Sequence, residues 1–279
     1  MTKTTQLFTK VFLGFSAVVL MASCQKMNKP GYADYPPDAN PPGGPLKFYA
    51  AFDGASADPL MNGVDSIRAN FPASNPLTSV AGVTGKAIQG SDGKAVLYPS
   101  ANDFKDATSF SISMWLKNTA QPGRTEFLFS LADDTYGWHH SAVFLLMENQ
   151  TAASATMKLC VMDQWLEGTF NKPVFDGSWH HIVYSYDQTT SKMTYYFDGA
   201  IVDGMTPTQT DVKNGGSPRG AVNFKNAYKF ILAGWNKHAN TTGPTDDWIR
   251  SYNGTMDQFR LYGKALSATE VAALYNSRL

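Results

Sequence analysis

Residues 254–279, GTMDQFRLYGKALSATEVAALYNSRL, constrain the fold of this chain more than any other stretch. A short alternating strand runs into a tight turn and then into a capped terminal helix. Ser267 is a natural N-cap, and Glu270, three residues on, can reach back to the cap's own N–H. Leu266 and Val271 fall at the staple positions flanking that cap. Val271, Leu274 and Tyr275 then form an apolar stripe at helical spacing. No long segment of helical period precedes this one, so the core has to come from strands.

Strand signals fill the rest of the chain. Leu46, Phe48, Ala50 and Phe52 alternate on one face, and Asp53-Gly54 ends the run. Phe110, Ile112, Met114 and Leu116 alternate again, with Ser109, Ser111, Ser113 and Trp115 on the opposite side. Further strands are predicted over residues 127–131, 142–147, 156–162, 180–186, 193–197 and 229–233. Asp198-Gly199 is a hairpin turn signal. Many strands joined by Gly-, Pro- and Asn-rich connections predict an all-β, two-sheet antiparallel sandwich over residues 46–279, closed by the short C-terminal helix.

The first residues read as a targeting segment. Lys3 and Lys10 precede an uncharged apolar run from Val11 to Met21, too short to span a bilayer comfortably. Met21-Ala22-Ser23-Cys24 resembles a bacterial lipobox, with Met21 where Leu is more usual. This predicts a signal peptide over residues 1–23 and lipidation at Cys24. Residues 24–45 hold Pro30, Pro36, Pro37, Pro41, Pro42 and Pro45 and read as a tether. Removing residues 1–23 takes away two lysines and no acid, leaving 21 basic against 23 acidic residues, a net charge of −2. With no basic patch, nucleic-acid binding has no electrostatic footprint. Cys160, the other cysteine, reads as a small buried hydrophobe.

Several blocks, in chain order, carry a family resemblance. They are Phe52-Asp53-Gly54; Gly85-Lys86-Ala87-Ile88 leading to Ala95-Val96-Leu97-Tyr98; Ser109 through Lys117; Gly177-Ser178-Trp179-His180-His181-Ile182-Val183; Tyr196-Phe197-Asp198-Gly199; and the terminal block. Together they resemble the laminin G-like domains of the concanavalin A-like jelly-roll superfamily, and the resemblance spans nearly the whole of residues 46–279. It implies a jelly roll whose usual work is holding sugars or proteins. Members of the superfamily often bridge their first and last strands with one structural calcium ion. Asp53, Asp58 and Asp257 are the matching carboxylates, and oxygen ligands from separated segments suit that ion. The other reading of these residues is that Asp53 and Asp58 shape a turn while Asp257 faces solvent.

Catalytic patterns are sparse. Glycosidases resembling family 16 place their acids on one strand as E-x-D-x-x-E, and none of Glu126, Glu148, Glu167 or Glu270 begins such a motif. Neither G-x-S-x-G nor a phosphate-binding loop occurs. His180 and His181 are adjacent on a predicted strand, point to opposite faces and cannot share a metal. An enzyme on this fold would draw first on Asp134, Tyr136, His139 and His140. No catalytic residue is assigned.

Sugar binding needs aromatic faces beside planar polar groups, and three segments supply both: residues 133–140, 163–167 and 235–248. An indole offers an apolar face and an N–H together. The predicted ligand-binding residues are Trp138, His139, Trp165, Trp235, Asn236, His238, Asp247 and Trp248. The alternative for each tryptophan is to plug the sandwich beneath its own loop. Trp115 and Trp179 are expected to be structural.

The layout resembles the accessory glycan-binding lipoproteins of Gram-negative polysaccharide-uptake systems. That resemblance implies a non-catalytic binder of oligo- or polysaccharide on the outer membrane. Its membrane contact would be the N-terminal lipid alone, and its neighbours other glycan-uptake proteins. A protein-binding or adhesion module is the chief alternative. Gln25-Lys26-Met27-Asn28-Lys29 stands where surface-exported lipoproteins of such systems often carry acids, so surface-facing and periplasm-facing orientations both stay open.

Overall fold

The computed structural model describes residues 44–53, Val64 and 75–278. Residues 1–23, where a signal peptide is predicted, Cys24, nearly all of the predicted tether and Asp58 lie outside the described residues. Seventeen strands follow one another among those described: β1 (Leu46–Ala50), β2 (Thr78–Ala81), β3 (Lys86–Gln89), β4 (Val96–Tyr98), β5 (Phe110–Lys117), β6 (Thr125–Ala132), β7 (Ser141–Glu148), β8 (Ala155–Val161), β9 (Gln164–Phe170), β10 (His180–Asp187), β11 (Lys192–Phe197), β12 (Ala200–Ile201), β13 (Lys213–Asn214), β14 (Ser217–Pro218), β15 (Lys229–Leu232), β16 (Ile249–Ser251) and β17 (Thr255–Tyr262). Two α-helices join them, the single turn α1 (Pro207–Thr210) and the terminal α2 (Ala268–Ser277), with 3-10 turns at Asn102–Asp106 and Asn236–Ala239.

Fifteen of these strands form two antiparallel sheets, as the alternation predicts, while β13 and β14 pair as a separate hairpin. In the first sheet the order is β12-β11-β10-β5-β17-β3-β2, with β1 also pairing β17. The second runs β4-β15-β6-β7-β8-β9, and β16 joins β6 in the one parallel pairing among the described strands. Between the sheets lies the main core. Phe48, Phe110, Ile112, Met114 and Leu116 meet Phe129, Leu131, Leu145, Met147 and Leu159 there, all essentially buried.

The outer face of the first sheet is closed by α2. The predicted capping box forms: Glu270 N–H donates to Ser267 Oγ at 3.3 Å, and Ser267 N–H donates to Glu270 Oε2 at 2.9 Å. Leu266, Val271 and Leu274 then pack with Tyr49, Val183, Tyr196 and Tyr262 as a second apolar cluster. Tyr275 stacks on Trp115 with ring centroids 5.5 Å apart. Leu266 N–H donates to both Ser111 Oγ and Ser185 Oγ, so the serines of the outward face anchor the turn before the helix. The β11–β12 hairpin turns at Asp198 (φ 50°) and Gly199 (φ 81°). A Cβ at Gly199 would sit 2.9 Å from the Cβ of Tyr275, so the glycine also makes room for α2.

The strand readings over 127–131, 142–147, 156–162, 180–186 and 193–197 all match observed strands. Strand β9 was not anticipated, because its outward positions carry Trp165, Glu167 and Thr169 while only Leu166 and Phe170 supply the buried apolar side.

Candidate functional site

The outer face of the second sheet carries an aromatic surface. Strand alternation sends Leu145, Met147, Leu159 and Val161 into the main core, and therefore turns Phe144, Leu146 and Cys160 outward. Cross-strand register then lines up Ser130, Phe144, Cys160 and Trp165 across β6, β7, β8 and β9. Phe127, Phe144, Leu146, Cys160, Trp235 and Ile249 form a separate buried cluster on this face.

The long connection from β15 to β16 covers it. Strand β15 pairs with Phe129–Ala132 of β6, and β16 returns to pair with Thr125–Phe127 of that same strand. Ala233 adopts φ 58°, and residues 233–248 loop away from the ladder between these two pairings. The loop places Trp235 flat on Phe127, with ring centroids 4.2 Å apart and planes 9° from parallel. Trp235 also meets Phe144 at 4.8 Å and the edge of Trp138 at 5.6 Å. Its indole N–H donates to Ser141 Oγ at 3.1 Å.

Three tryptophans stand around this floor with their rings in solvent. Trp138 is 52% exposed, Trp248 45% and Trp165 37%, whereas Trp235 is fully buried. Trp138 and Trp248 lie 6.3 Å apart with planes 23° from parallel. Trp165 meets Phe144 edge-on at 5.0 Å. Large aromatics are ordinarily mostly buried, so three half-exposed indoles on one face stand out.

A buried polar network fixes the two loops that carry Trp138 and Trp248. Asn236 Nδ2 donates to the carbonyls of His140 at 2.9 Å and Thr242 at 2.7 Å. Its Oδ1 accepts from Ser130 Oγ at 2.8 Å. Ser141 Oγ donates to the carbonyl of His139 at 2.9 Å and lies 3.0 Å from Ser130 Oγ. His238 accepts from the Trp235 N–H through Nδ1 at 3.0 Å, and burial lowers its pKa to about 4, so it serves the loop as a neutral acceptor.

The predicted ligand residues therefore divide. Trp138, Trp165, Trp248 and Asp247 lie at the surface of one face. Trp235 is corrected: it is the floor beneath Trp138, with no ring face left for a ligand. Asn236, fully buried, and His238 hold the loop. His139 is nearly buried between Tyr136 and Phe144, with Nε2 3.4 Å from Asp163 Oδ1. Burial lowers its pKa, with Asp163 opposing. Sequence reasoning missed Phe127, Phe144, Ser130 and Ser141. Register shifts on β6, between Phe127 and Phe129 and between Leu131 and Ala132, break the alternation, so Phe127 and Ser130 stand three residues apart and leave no period-two signal.

The remaining polar groups have other work. Glu126 is buried and accepts from Gln150 Nε2 at 2.9 Å, Asn253 N–H at 3.1 Å and Arg124 Nε at 3.3 Å. Burial raises its pKa against those donors. Glu148 and Glu167 both pair with Lys158, and Glu270 caps α2. His180 lies between Asp198 (2.8 Å) and Asp176 (3.1 Å), while His181 meets Ser113 Oγ at 2.9 Å, so the adjacent histidines do serve opposite faces. Cys160 is buried, and burial pushes its thiol pKa well up, as a structural cysteine requires.

Asp53 and Asp257 meet beside the β2–β3 hairpin. Asp53 Oδ1 accepts from Lys86 N–H at 2.8 Å. Asp257 does not face solvent: it is fully buried and accepts from Val83 N–H at 2.8 Å and Gln258 N–H at 2.7 Å. Burial, reinforced by the charge of Asp53, raises the Asp257 pKa to about 7. The hairpin approaches both carboxylates closely at Gly82 and Gly85, where an added Cβ would fall 2.4 Å from Asp257 Oδ2 and 2.0 Å from Asp53 Oδ1. No group of three or more His, Cys, Asp or Glu side chains with metal-binding geometry occurs among the described residues.

The model of the family described as the concanavalin A-like lectin/glucanases superfamily matches residues 89–272. The chain belongs to that superfamily. No curated protein matches its sequence. Among solved structures, it resembles domain 4 of AbnA, a GH43 extracellular arabinanase from Geobacillus stearothermophilus in complex with arabinotriose. That likeness has a TM-score of 0.51 and 18% identity over 82% of this chain and 98% of the other. It also resembles the botulinum neurotoxin serotype D binding domain (TM-score 0.55, 12% identity, 84% of this chain) and Trypanosoma rangeli sialidase in complex with sialic acid (TM-score 0.56, 14% identity, 84% of this chain). The matched region spans 52% of that neurotoxin chain and 33% of that sialidase. At these identities the likeness is one of fold.

Proposed function

We propose that the protein is a non-catalytic carbohydrate-binding module whose ligand lies on the face built by Trp138, Trp165 and Trp248. The carrying observation is three half-exposed indoles on a preformed aromatic floor, with the two loops of Trp138 and Trp248 fixed by buried hydrogen bonds. Sugar rings have apolar faces that stack on indoles and hydroxyls that reach rim carboxylates and amides. One solved structure of similar fold, the arabinanase domain, is in complex with arabinotriose, which fits oligosaccharide as the ligand class. Each of the four glutamates outside the signal segment is engaged by a structural partner, which supports binding without catalysis. Anchored through Cys24 on the Pro-rich tether, the module would hold polysaccharide near the outer membrane and raise its concentration for neighbouring glycan-uptake proteins.

Calcium belongs to the same proposal as a structural ion. Asp53 and Asp257 would hold it together with backbone carbonyls, supplying the hard oxygen ligands it prefers. A divalent cation would also offset the burial of the Asp257 carboxylate and its repulsion by Asp53. The test of the binding reading is a glycan array probed with the full chain in detergent, repeated with Trp138→Ala. Saturable binding lost in the variant supports it. An array negative for every glycan would move the site to a protein partner.

A further inference from the structure

The charges around the aromatic face narrow its ligand. The three segments that carry the exposed tryptophans, residues 133–140, 163–167 and 245–248, contain no Lys or Arg. They present Asp134, Asp163, Glu167, Asp246 and Asp247, all exposed. These belong to one surface: Trp138 and Trp248 are stacked, and Asp163 lies 3.4 Å from His139, which packs on Phe144 beside Trp165.

The nearby cations are committed elsewhere. Lys158 lies between Glu148 (2.8 Å) and Glu167 (3.3 Å), one positive charge for two negative ones. Lys237 Nζ donates to the backbone carbonyls of Thr245 at 3.3 Å and Asp246 at 2.6 Å, bracing the Trp248 loop. The Arg219 guanidinium packs on Met162 Sδ at 2.9 Å. Arg250, opposite Glu126 in register, alternates to the other side of β16 from Ile249, which packs on the aromatic floor.

Carboxylates are acceptors only, and sugar hydroxyls can donate to them in charge-assisted hydrogen bonds. A carboxylate or sulfate on the ligand would meet more negative than positive charge, because the five exposed carboxylates outnumber Lys158, Lys237 and Arg219 and like charges repel over a Debye length, roughly 8–10 Å in physiological salt. We infer that this face, read as the carbohydrate site proposed above, takes an uncharged polysaccharide and rejects anionic glycans such as uronates, sialylated chains and sulfated polymers.

The experiment compares xylan, mannan, β-glucan and arabinan with carboxymethylated forms of the same polymers, using affinity electrophoresis or calorimetry on the full chain at low and high salt. At least one unmodified polymer should bind, and its carboxymethylated form should bind at least tenfold more weakly at low salt. That gap should shrink as salt rises and in an Asp163→Asn, Asp246→Asn, Asp247→Asn variant. Equal or tighter binding of the carboxymethylated polymer, still lost in Trp138→Ala, would overturn this inference and leave the carbohydrate reading standing. Binding to no polymer of either kind would overturn the carbohydrate reading and the inference with it.

Discussion

The side-chain amide of Asn236 donates to the backbone carbonyl of His140 at 2.9 Å, across two loops separated by almost a hundred residues of chain. Through it the Trp138 loop and the Trp248 loop form one surface rather than two. Its Oδ1 accepts from Ser130 on β6, so the loops are also fixed to the sheet beneath. Preorganised aromatic faces of this kind lose little entropy on binding.

Replacing Asn236 with Leu would take from the carbonyls of His140 and Thr242 the amide that links them, and would leave the buried Ser130 hydroxyl only Ser141 as a partner. The expected cost is about 1–3 kcal/mol for each group left unsatisfied, less where water enters. Chemical denaturation measures the loss. Binding should weaken as well, because both exposed indoles lose their support.

Trp235 and Trp138 should separate stability from recognition. Trp235→Ala removes a fully buried indole stacked on Phe127 and should cost about 3–5 kcal/mol. Trp138→Ala removes a half-exposed ring and should change stability by under about 1 kcal/mol while abolishing most glycan affinity. Urea melts paired with binding isotherms distinguish the two.

If calcium occupies the Asp53–Asp257 site, adding it should raise the melting temperature and a chelator should reverse the rise. At a free concentration a hundredfold above Kd the stabilisation is about 2.7 kcal/mol. Asp53→Asn should lose the shift. A melting temperature indifferent to calcium and chelator after exhaustive dialysis would remove calcium from the account.

Neighbouring histidines should pull the pH dependence in opposite directions. Burial, then the charge of Arg260, lowers the His181 pKa to about 3. Between its unfolded value of about 6.5 and that folded value, the unfolded state binds the extra proton, so stability falls as pH falls, by up to about 1.4 kcal/mol per unit. For His180 the folded pKa is raised: burial opposes protonation, but the hydrogen bonds it donates to Asp198 and Asp176 outweigh it. Its contribution is full below about 6.5 and is lost as pH rises through the folded value. Stability curves of His181→Phe should therefore be flatter in acid than those of the parent. His180→Gln should be flatter above neutral pH.

Much of the fold was legible because it rests on periodicity. Alternation in residues 110–116 and the Ser267–Glu270 cap need no tertiary information, and both appear as expected. The site was less legible, since composition reports that a tryptophan is near a surface loop but not which way it points. Trp235 and Trp248 belong to one loop, yet the first faces Phe127 and the second solvent. What decides between them is the return of β16 to β6, a pairing made 17 residues after β15 ends. Strand β9 escaped for a related reason: its outward alternation is occupied by the residues that form the site's rim.

The most direct measurement follows the six tryptophan indole N–H resonances by NMR in the nitrogen-15-labelled protein as a bound oligosaccharide is titrated in. Shifts concentrated at Trp138, Trp165 and Trp248, with a smaller response from Trp235 beneath and none from Trp115 or Trp179, are the predicted result. Saturable shifts that leave Trp138, Trp165 and Trp248 unmoved would contradict the account and place recognition elsewhere on the sandwich.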